Sequence, residues 1–523
     1  MIGRVGLLFE VRDIDLAGRI GRLVTKSGTI ETPAFFPVID PRRQEISVEE
    51  IVGIGFGQLI TNAYILLKTY GAEILEKGIH RFLGFDGIVM TDSGAYQLLE
   101  YGRIDVDQET IIKYQEGIGS DIGVILDVPT GDVGKKEAMK TVEETIKRAR
   151  EALHLIESSE TLWVLPIQGG KHLDLVEQSA RIAASMPHYR VYGIGSPTVF
   201  LERYEYDTVI DIIHAAKSNL NPALPTHLFG AGHPLIIPFA VALGVDMFDS
   251  ASYILYARDG RYMTRFGATP LESLDYFACN CPVCSSRTPG DLREMEKNER
   301  TRLLAIHNLY VIKNTIEEVK QHIREGRLWE LLEAYARSHP RSLDALYRLK
   351  NYYGYIEKFL PRTKPDVRGV RFYGEESLWN PKLVRYKRYV LEGYRAPQAA
   401  KAVFYPLERG EPCVLNKKTT YKKEEHLAFY APYLGVIPSD LCGIYPTIHS
   451  SWPKNLAEPV VSDLSKTLTQ YMEKLAVQGY KSFDIFLFKG EPYSRLLEEK
   501  LREGARKIIE KHGATVNIGF LDA

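Results

Sequence analysis

Eight short apolar runs recur through the first half of the chain, each followed by a turn of glycines or polar residues and then by a helical pattern. The runs are Ala34–Val38, Gln58–Ile60, Ile88–Met90, Ile122–Leu126, Leu162–Ile167, Val191–Ile194, His227–Phe229 and Val245–Phe248. They are continuously apolar, as strands buried on both faces are. The segments between them, such as Lys136–Leu155 and Thr208–Lys217, carry helical periodicity. Strands that alternate with helices build parallel sheets, and eight such units predict a (β/α)8 barrel of the TIM type. A doubly wound open sheet would carry the same rhythm. The residues after the runs say more. Thr91-Asp92-Ser93-Gly94 follows the third, Asp127 the fourth, Gln168-Gly169-Gly170 the fifth, Gly195-Ser196 the sixth, Gly230-Ala231-Gly232 the seventh and Asp249-Ser250 the eighth. In a parallel barrel all these strand ends open on one face, where active sites lie.

The chain has 523 residues, too many for one ordinary core. We expect a catalytic barrel over residues 1–360 with a metal-binding insertion at about 275–310, then small α/β modules over 361–523. Residues 290–360 read as helical, and Pro361-Arg362-Thr363-Lys364-Pro365 as a linker. Beyond it, strand-like runs (Lys401–Tyr405, Asp484–Phe488, Ala514–Ile518) mix with helices (Val461–Gln478, Pro492–Lys511). The net charge of −1 gives no global sign of a nucleic-acid partner, so any basic surface must be local. Lys382–Arg388, and Lys417-Lys418 with Lys422-Lys423, are the candidate phosphate contacts. Of the 31 tyrosines, 16 fall after residue 340; tyrosine can stack on bases but more often fills interiors with its hydroxyl partnered. The N-terminus lacks a signal-peptide core, and the most apolar stretch, Ala223–Phe248, is broken by prolines, histidines and glycines. It reads as a buried strand–helix–strand, and the protein is expected in the cytoplasm.

Cys279, Cys281 and Cys284 form a C-x-C-x2-C cluster, and His307 follows after 22 intervening residues. Three thiolates and an imidazole suit tetrahedral zinc, and four protein ligands mark a structural site, one ion per chain. His307 could equally be a packed core histidine. Asp92 and Asp249 each end an apolar run, and a pair of acids at one barrel mouth is what glycosidic cleavage needs. An aspartate after a strand also serves as a helix N-cap. Asp127 and Gln168 offer an acceptor and an amide to the polar edge of a purine, and the amides of Gly195 and Ser196 could bind a carbonyl oxygen. Tyr96 and Phe229 supply flat surfaces for a base. No G-x-x-x-x-G-K-[ST] loop is present, which fits a reaction that needs no nucleoside triphosphate.

Thr91-Asp92-Ser93-Gly94-Ala95-Tyr96-Gln97, Asp246-Met247-Phe248-Asp249-Ser250-Ala251 and the cysteine cluster with its distant histidine together resemble the tRNA-guanine transglycosylases. Leu201-Glu202-Arg203-Tyr204-Glu205-Tyr206 and the long C-terminal extension resemble the archaeal branch. The resemblance covers about residues 1–360 well and the rest loosely. It implies that Asp249 is a nucleophile on C1′ of the target nucleotide and that Asp92 is the general acid and base. It further implies that Ser93, Asp127, Gln168, Gly195 and Ser196 read the base, with Tyr96 and Phe229 as stacking faces. The implied reaction replaces guanine 15 of the tRNA D-arm by 7-cyano-7-deazaguanine, a step toward archaeosine, through a covalent aspartyl-ribosyl intermediate. The implied partners are tRNA, the two bases and a second copy of the chain. The terminal RNA-binding domain of that branch is not recognisable here, so either a separate RNA-binding subunit supplies it or the barrel and the remaining modules hold the tRNA alone. Three other readings remain open on sequence: an archaeosine synthase paralogue, a non-catalytic tRNA-binding subunit, and a glycoside hydrolase.

Overall fold

The structure is a computed structural model that describes residues 8–95, 106–364, 367, 369–409 and 422–521. It divides into two compact units, one comprising Met1–Arg324 with Ala334–Phe359, the other Glu325–Glu333 with Leu360–Ala523.

The first unit begins with an antiparallel sheet of β1 (Phe9–Asp15), β2 (Gly18–Val24) and β3 (Thr29–Thr32). Eight strands follow: β4 (Ala34–Pro37), β5 (Gln58–Asn62), β6 (Ile88–Asp92), β7 (Ile122–Val124), β8 (Leu162–Ile167), β9 (Tyr189–Ile194), β10 (Thr226–Leu228) and β11 (Met247–Ser250). Each coincides with one of the eight apolar runs. Every neighbouring pair is parallel, and β4 also pairs with β11. A parallel bridge from Val38 to Ile60, with the Ile39 N–H donating to the Ile60 carbonyl at 2.9 Å, joins β4 to β5. That bridge closes the sheet into a barrel and excludes the open doubly wound sheet.

Helices sheathe the barrel because their apolar residues recur every three or four positions. In Lys135–Ile156 the buried residues are Ala138, Val142, Thr145, Ala149, Ala152 and Ile156. The barrel interior follows the strand period of two: Ala34 and Phe36, Ile88 and Met90, Ile122 and Val124, and Leu162 and Val164 share one buried cluster. Phe9, Leu23 and Ile30 of the first sheet belong to the same cluster. Links from that sheet fall just before barrel strands: Arg19 pairs with Asp246 at 2.7 Å, and the Ser27 N–H donates to Asp121 at 3.1 Å. The three-stranded sheet therefore plugs the N-terminal end of the barrel and leaves the opposite end open.

After β11 come the helix Ser252–Arg258, a hairpin of β12 (Arg261–Thr264) and β13 (Gly267–Pro270), the cysteine segment and the long helix Lys297–Glu325. The second unit carries one five-stranded sheet of β14 (Lys401–Pro406), β15 (His426–Ala431), β16 (Gly435–Pro438), β17 (Ser482–Phe488) and β18 (Thr515–Leu521). Their order is β16-β15-β14-β17-β18, and β16 alone runs antiparallel to its neighbour. The helices Glu458–Val477 and Ser494–His512 complete it. β15 and β16 escaped the sequence reading. Of this unit's tyrosines, Tyr373 and Tyr389 are exposed, whereas Tyr386, Tyr430, Tyr471 and Tyr480 are buried, and the Tyr386 and Tyr430 hydroxyls donate to the carbonyls of Val436 and Phe486. Three cations of the basic run at 382–388 need a correction as phosphate contacts, while Arg388 is exposed. Lys382 donates to the Gly326 carbonyl, Arg385 to those of Leu360 and Pro361, and Lys387 pairs with Asp463. These cations satisfy carbonyls and an acid of their own unit. Lys422 and Lys423 are exposed, while Lys417 and Lys418 lie outside the described residues. No helix among the described residues is long and apolar enough to cross a membrane.

Candidate active site

The inward register of the barrel strands, followed toward their C-terminal ends, passes from core to chemistry. Ile88 and Met90 lead to Asp92, Ile60 to Asn62, Val164 to Gln168, Val191 to Gly195, His227 to Phe229, and Met247 to Asp249. Asp127 sits three residues beyond β7. Asp92, Asp127, Gln168, Gly195, Ser196, Phe229 and Asp249 all line one cavity of about 390 Å³ at the barrel mouth. A neighbouring cavity of about 710 Å³ shares Val38, Thr61, Asn62 and Ala251 with it and adds Arg42, Arg43 and Arg258. Ser93 is not part of the lining; its side chain is fully buried, and its Oγ has no hydrogen-bond partner among the described residues. Tyr96 lies outside the described residues.

Asp249 is held through one oxygen. Oδ1 accepts from His227 Nε2 at 2.7 Å and from the Gly230 N–H at 3.1 Å. The helix that follows is capped by Ala251, so Asp249 is not an N-cap. His227 is completely buried, its ring packed near Phe36 and Phe229 and its Nδ1 without a partner.

Asp92 Oδ2 accepts from the Gly94 N–H at 3.2 Å and from Asn62 Nδ2 at 3.4 Å. Burial, with added repulsion from Asp127 and Asp249, raises its carboxyl to about 7, against the pull of the Gly94 amide. Asp127 is raised to about 6, again by burial, with Gln168 opposing the shift. Gln168 Nε2 donates to Asp127 Oδ2 at 2.5 Å, and its Oε1 accepts from Ser196 Oγ at 2.7 Å. Gly195 is required beneath that amide, because a Cβ there would stand 2.3 Å from Gln168 Nε2. Likewise a Cβ on Gly193 would meet the Phe229 ring at 2.4 Å. The arrangement can protonate a leaving group, present a carboxylate oxygen, and read a flat polar edge with a donor and an acceptor side by side.

The ligand atoms of Cys279, Cys281, Cys284 and His307 lie within 4.8 Å of one another, a cluster able to hold a metal ion. His307 Nε2 donates to the Met263 carbonyl at 2.8 Å, which turns Nδ1 toward Cys281 and Cys284 Sγ at 3.5 and 3.4 Å. A carbonyl that accepts from the Nε2–H leaves Nδ1 as the acceptor nitrogen facing the thiols. The Tyr262 ring stacks on the imidazole at 3.7 Å. The cluster ties the segment after β13 to the helix Lys297–Glu325.

Sequence reasoning missed His227 and Asn62. His227 had one signal, a histidine inside an apolar run and in phase with Phe229. Asn62 ends its strand as Asp92 does.

A family model described as queuine tRNA-ribosyltransferase matches residues 15–341. A tRNA-guanine(15) transglycosylase of Aeropyrum pernix is 53% identical over 479 residues, 90% of this chain and 93% of the relative. The protein of that name from Sulfolobus acidocaldarius is 45% identical, covering 94% of this chain and 99% of its own length. The one from Pyrococcus furiosus is 46% identical over 69% of this chain but only 62% of the relative.

Proposed function

The chain belongs to the tRNA-guanine transglycosylase family, and from that membership we propose that it exchanges guanine 15 of tRNA for 7-cyano-7-deazaguanine by double displacement. The observation that carries the reading is Asp249: both of its hydrogen bonds fall on Oδ1, which leaves Oδ2 to attack from the cavity wall.

In the first displacement Asp249 Oδ2 bonds to C1′ of the target nucleotide as the C1′–N9 bond breaks. Asp92, protonated near neutral pH by its burial, gives its proton to the departing N9. The ribose is then held as an ester of Asp249. Guanine leaves and the incoming base takes its place between Phe229 and the Asp127–Gln168 pair. Asp92, now a carboxylate, removes the proton from the incoming nitrogen, which attacks C1′ and releases the Asp249 carboxylate. Two inversions give net retention. Asp127 accepts from the ring N–H and exocyclic amine of the base while Gln168 donates to its oxygen. The neighbouring cavity carries Arg42 and Arg43 on its wall, both exposed and paired with Asp40 and Glu45 of the same wall, and a phosphate of the flipped nucleotide would compete with those acids for them.

Cys279, Cys281, Cys284 and His307 fit zinc: three soft thiolates, one imidazole oriented by the Met263 carbonyl, and no open position. Zinc there supplies cross-linking of the segment to the helix and takes no part in the exchange.

The test is incorporation of radiolabelled guanine into an unmodified tRNA transcript, with and without 7-cyano-7-deazaguanine, for the protein and its Asp249→Asn variant. Incorporation that the nitrile base suppresses and the variant abolishes is expected. Binding of tRNA without incorporation would make this a binding subunit, and no binding would sink the tRNA reading.

A further inference from the structure

Gln168 ends in an amide whose two faces differ only in hydrogen-bonding sense, two donors on nitrogen against an acceptor oxygen. Its surroundings discriminate between the two orientations. Oε1 is met by Ser196 Oγ at 2.7 Å, by the backbone N–H of Thr130 at 3.0 Å and by Thr130 Oγ1 at 3.2 Å. A backbone N–H can only donate. Turning the amide over would set its nitrogen against that donor and its oxygen against the Asp127 carboxylate, which now accepts from Nε2 at 2.5 Å.

Thr130 is itself fixed from three sides. Its N–H is shared with Ser196 Oγ at 2.7 Å, and its Oγ1 accepts from the Gly169 N–H at 3.0 Å. The same Oγ1 lies 2.8 Å from Thr141 Oγ1, whose own hydroxyl contacts the Ala138 carbonyl at 2.8 Å. Ser196 reaches the amide from a left-handed backbone conformation, φ 61°. Thr130 is 1% exposed and forms no part of the cavity wall, so it cannot touch a base directly.

We propose that Thr130 and Ser196 form an orientation lock on Gln168 that sets specificity for a 6-oxopurine edge over a 6-aminopurine edge. With one Nε2 proton committed to Asp127, the lock leaves the other for the cavity as a donor. That donor pairs with an exocyclic oxygen and opposes an exocyclic amine. Thr130 is thus a positioning residue that acts through Gln168. The inference rests on the reading that this cavity takes a guanine-type base.

The experiment is equilibrium dialysis of radiolabelled guanine against the full chain, with 2,6-diaminopurine as competitor, for wild type, Thr130→Ser, Ser196→Ala and the Thr130→Val/Ser196→Ala double variant. The double variant removes the two hydroxyl contacts to Oε1 but keeps the Thr130 N–H and Asp127, so it should lose part of the preference for guanine over diaminopurine, roughly two- to tenfold, the scale of one hydrogen bond. Thr130→Ser, which keeps the hydroxyl, should retain the wild-type ratio, and Ser196→Ala should fall between. A general loosening would weaken both bases alike and leave the ratio unmoved; an unmoved ratio in the double and Ser196→Ala variants overturns the lock. Wild-type protein that prefers guanine in dialysis yet exchanges none into tRNA would overturn the proposed function and leave the lock standing. Wild-type protein that binds neither base would overturn both.

Discussion

Replacing His227 by phenylalanine should slow the formation of the Asp249–ribose ester by roughly 10- to 150-fold while leaving tRNA affinity in place. The structure sets that scale. The substitution removes one bond, Nε2–H to Asp249 Oδ1 at 2.7 Å, made by a wholly buried donor to a carboxylate. Hydrogen bonds to charged groups are worth about 1.5–3 kcal/mol, and about 1.36 kcal/mol is a factor of ten in rate. Nothing else is forfeited: Nδ1 has no partner to lose, and the Gly230 amide still holds Oδ1. Phenylalanine also suits the neighbouring Phe36 and Phe229 rings. The assay is single-turnover accumulation of the protein–tRNA ester on a denaturing gel, with KM for tRNA and thermal unfolding as controls. Rates within about twofold of wild type would refute the positioning role. A loss as complete as that of Asp249→Asn would refute it differently, since His227 would then be acting on the reacting atoms.

The pH profile should reflect the two raised carboxyls. Ester formation needs Asp92 protonated and so should fall above about pH 7, whereas base binding needs Asp127 ionised and should weaken below about pH 6; a flat profile from 5 to 8 would contradict both. Both acids ionise in the unfolded chain near pH 4, so the folded state holds more protons from there up to about 7 and loses stability as pH rises through that window. Asp92→Asn should remove part of that loss, read as a larger gain in melting temperature at pH 8 than at pH 4. Gly195→Ala should raise KM for the free base by at least about tenfold, because its Cβ would stand 2.3 Å from Gln168 Nε2; unchanged KM would mean the amide is not where the base is read. Metal analysis should find one zinc per chain, and Cys281→Ala should lower both zinc content and melting temperature, with ester formation preserved in the fraction that stays folded.

The sequence by itself determined the barrel strands and where their polar ends lie. A strand buried on both faces must be apolar throughout, so β4 to β11 stood out as runs, and the period of two carried Asp92, Gln168 and Asp249 inward from Met90, Val164 and Met247. The cysteine cluster was legible for a similar reason, three thiols able to hold one metal ion falling within six residues. Only the tertiary structure decided the rest. The Val38–Ile60 bridge chose a closed barrel over an open sheet, and the plug of β1 to β3 fixed which end stays open. Closure set His227 beside Asp249, 22 residues apart, and Ser196 and Thr130 beside Gln168, 28 and 38 residues away. It also turned Lys382, Arg385 and Lys387, a basic face on paper, onto carbonyls and an acid of their own unit. Hydrophobic pattern is local and is written along the chain; hydrogen-bond partnership depends on register across strands and loops, which exists only once the sheet has closed.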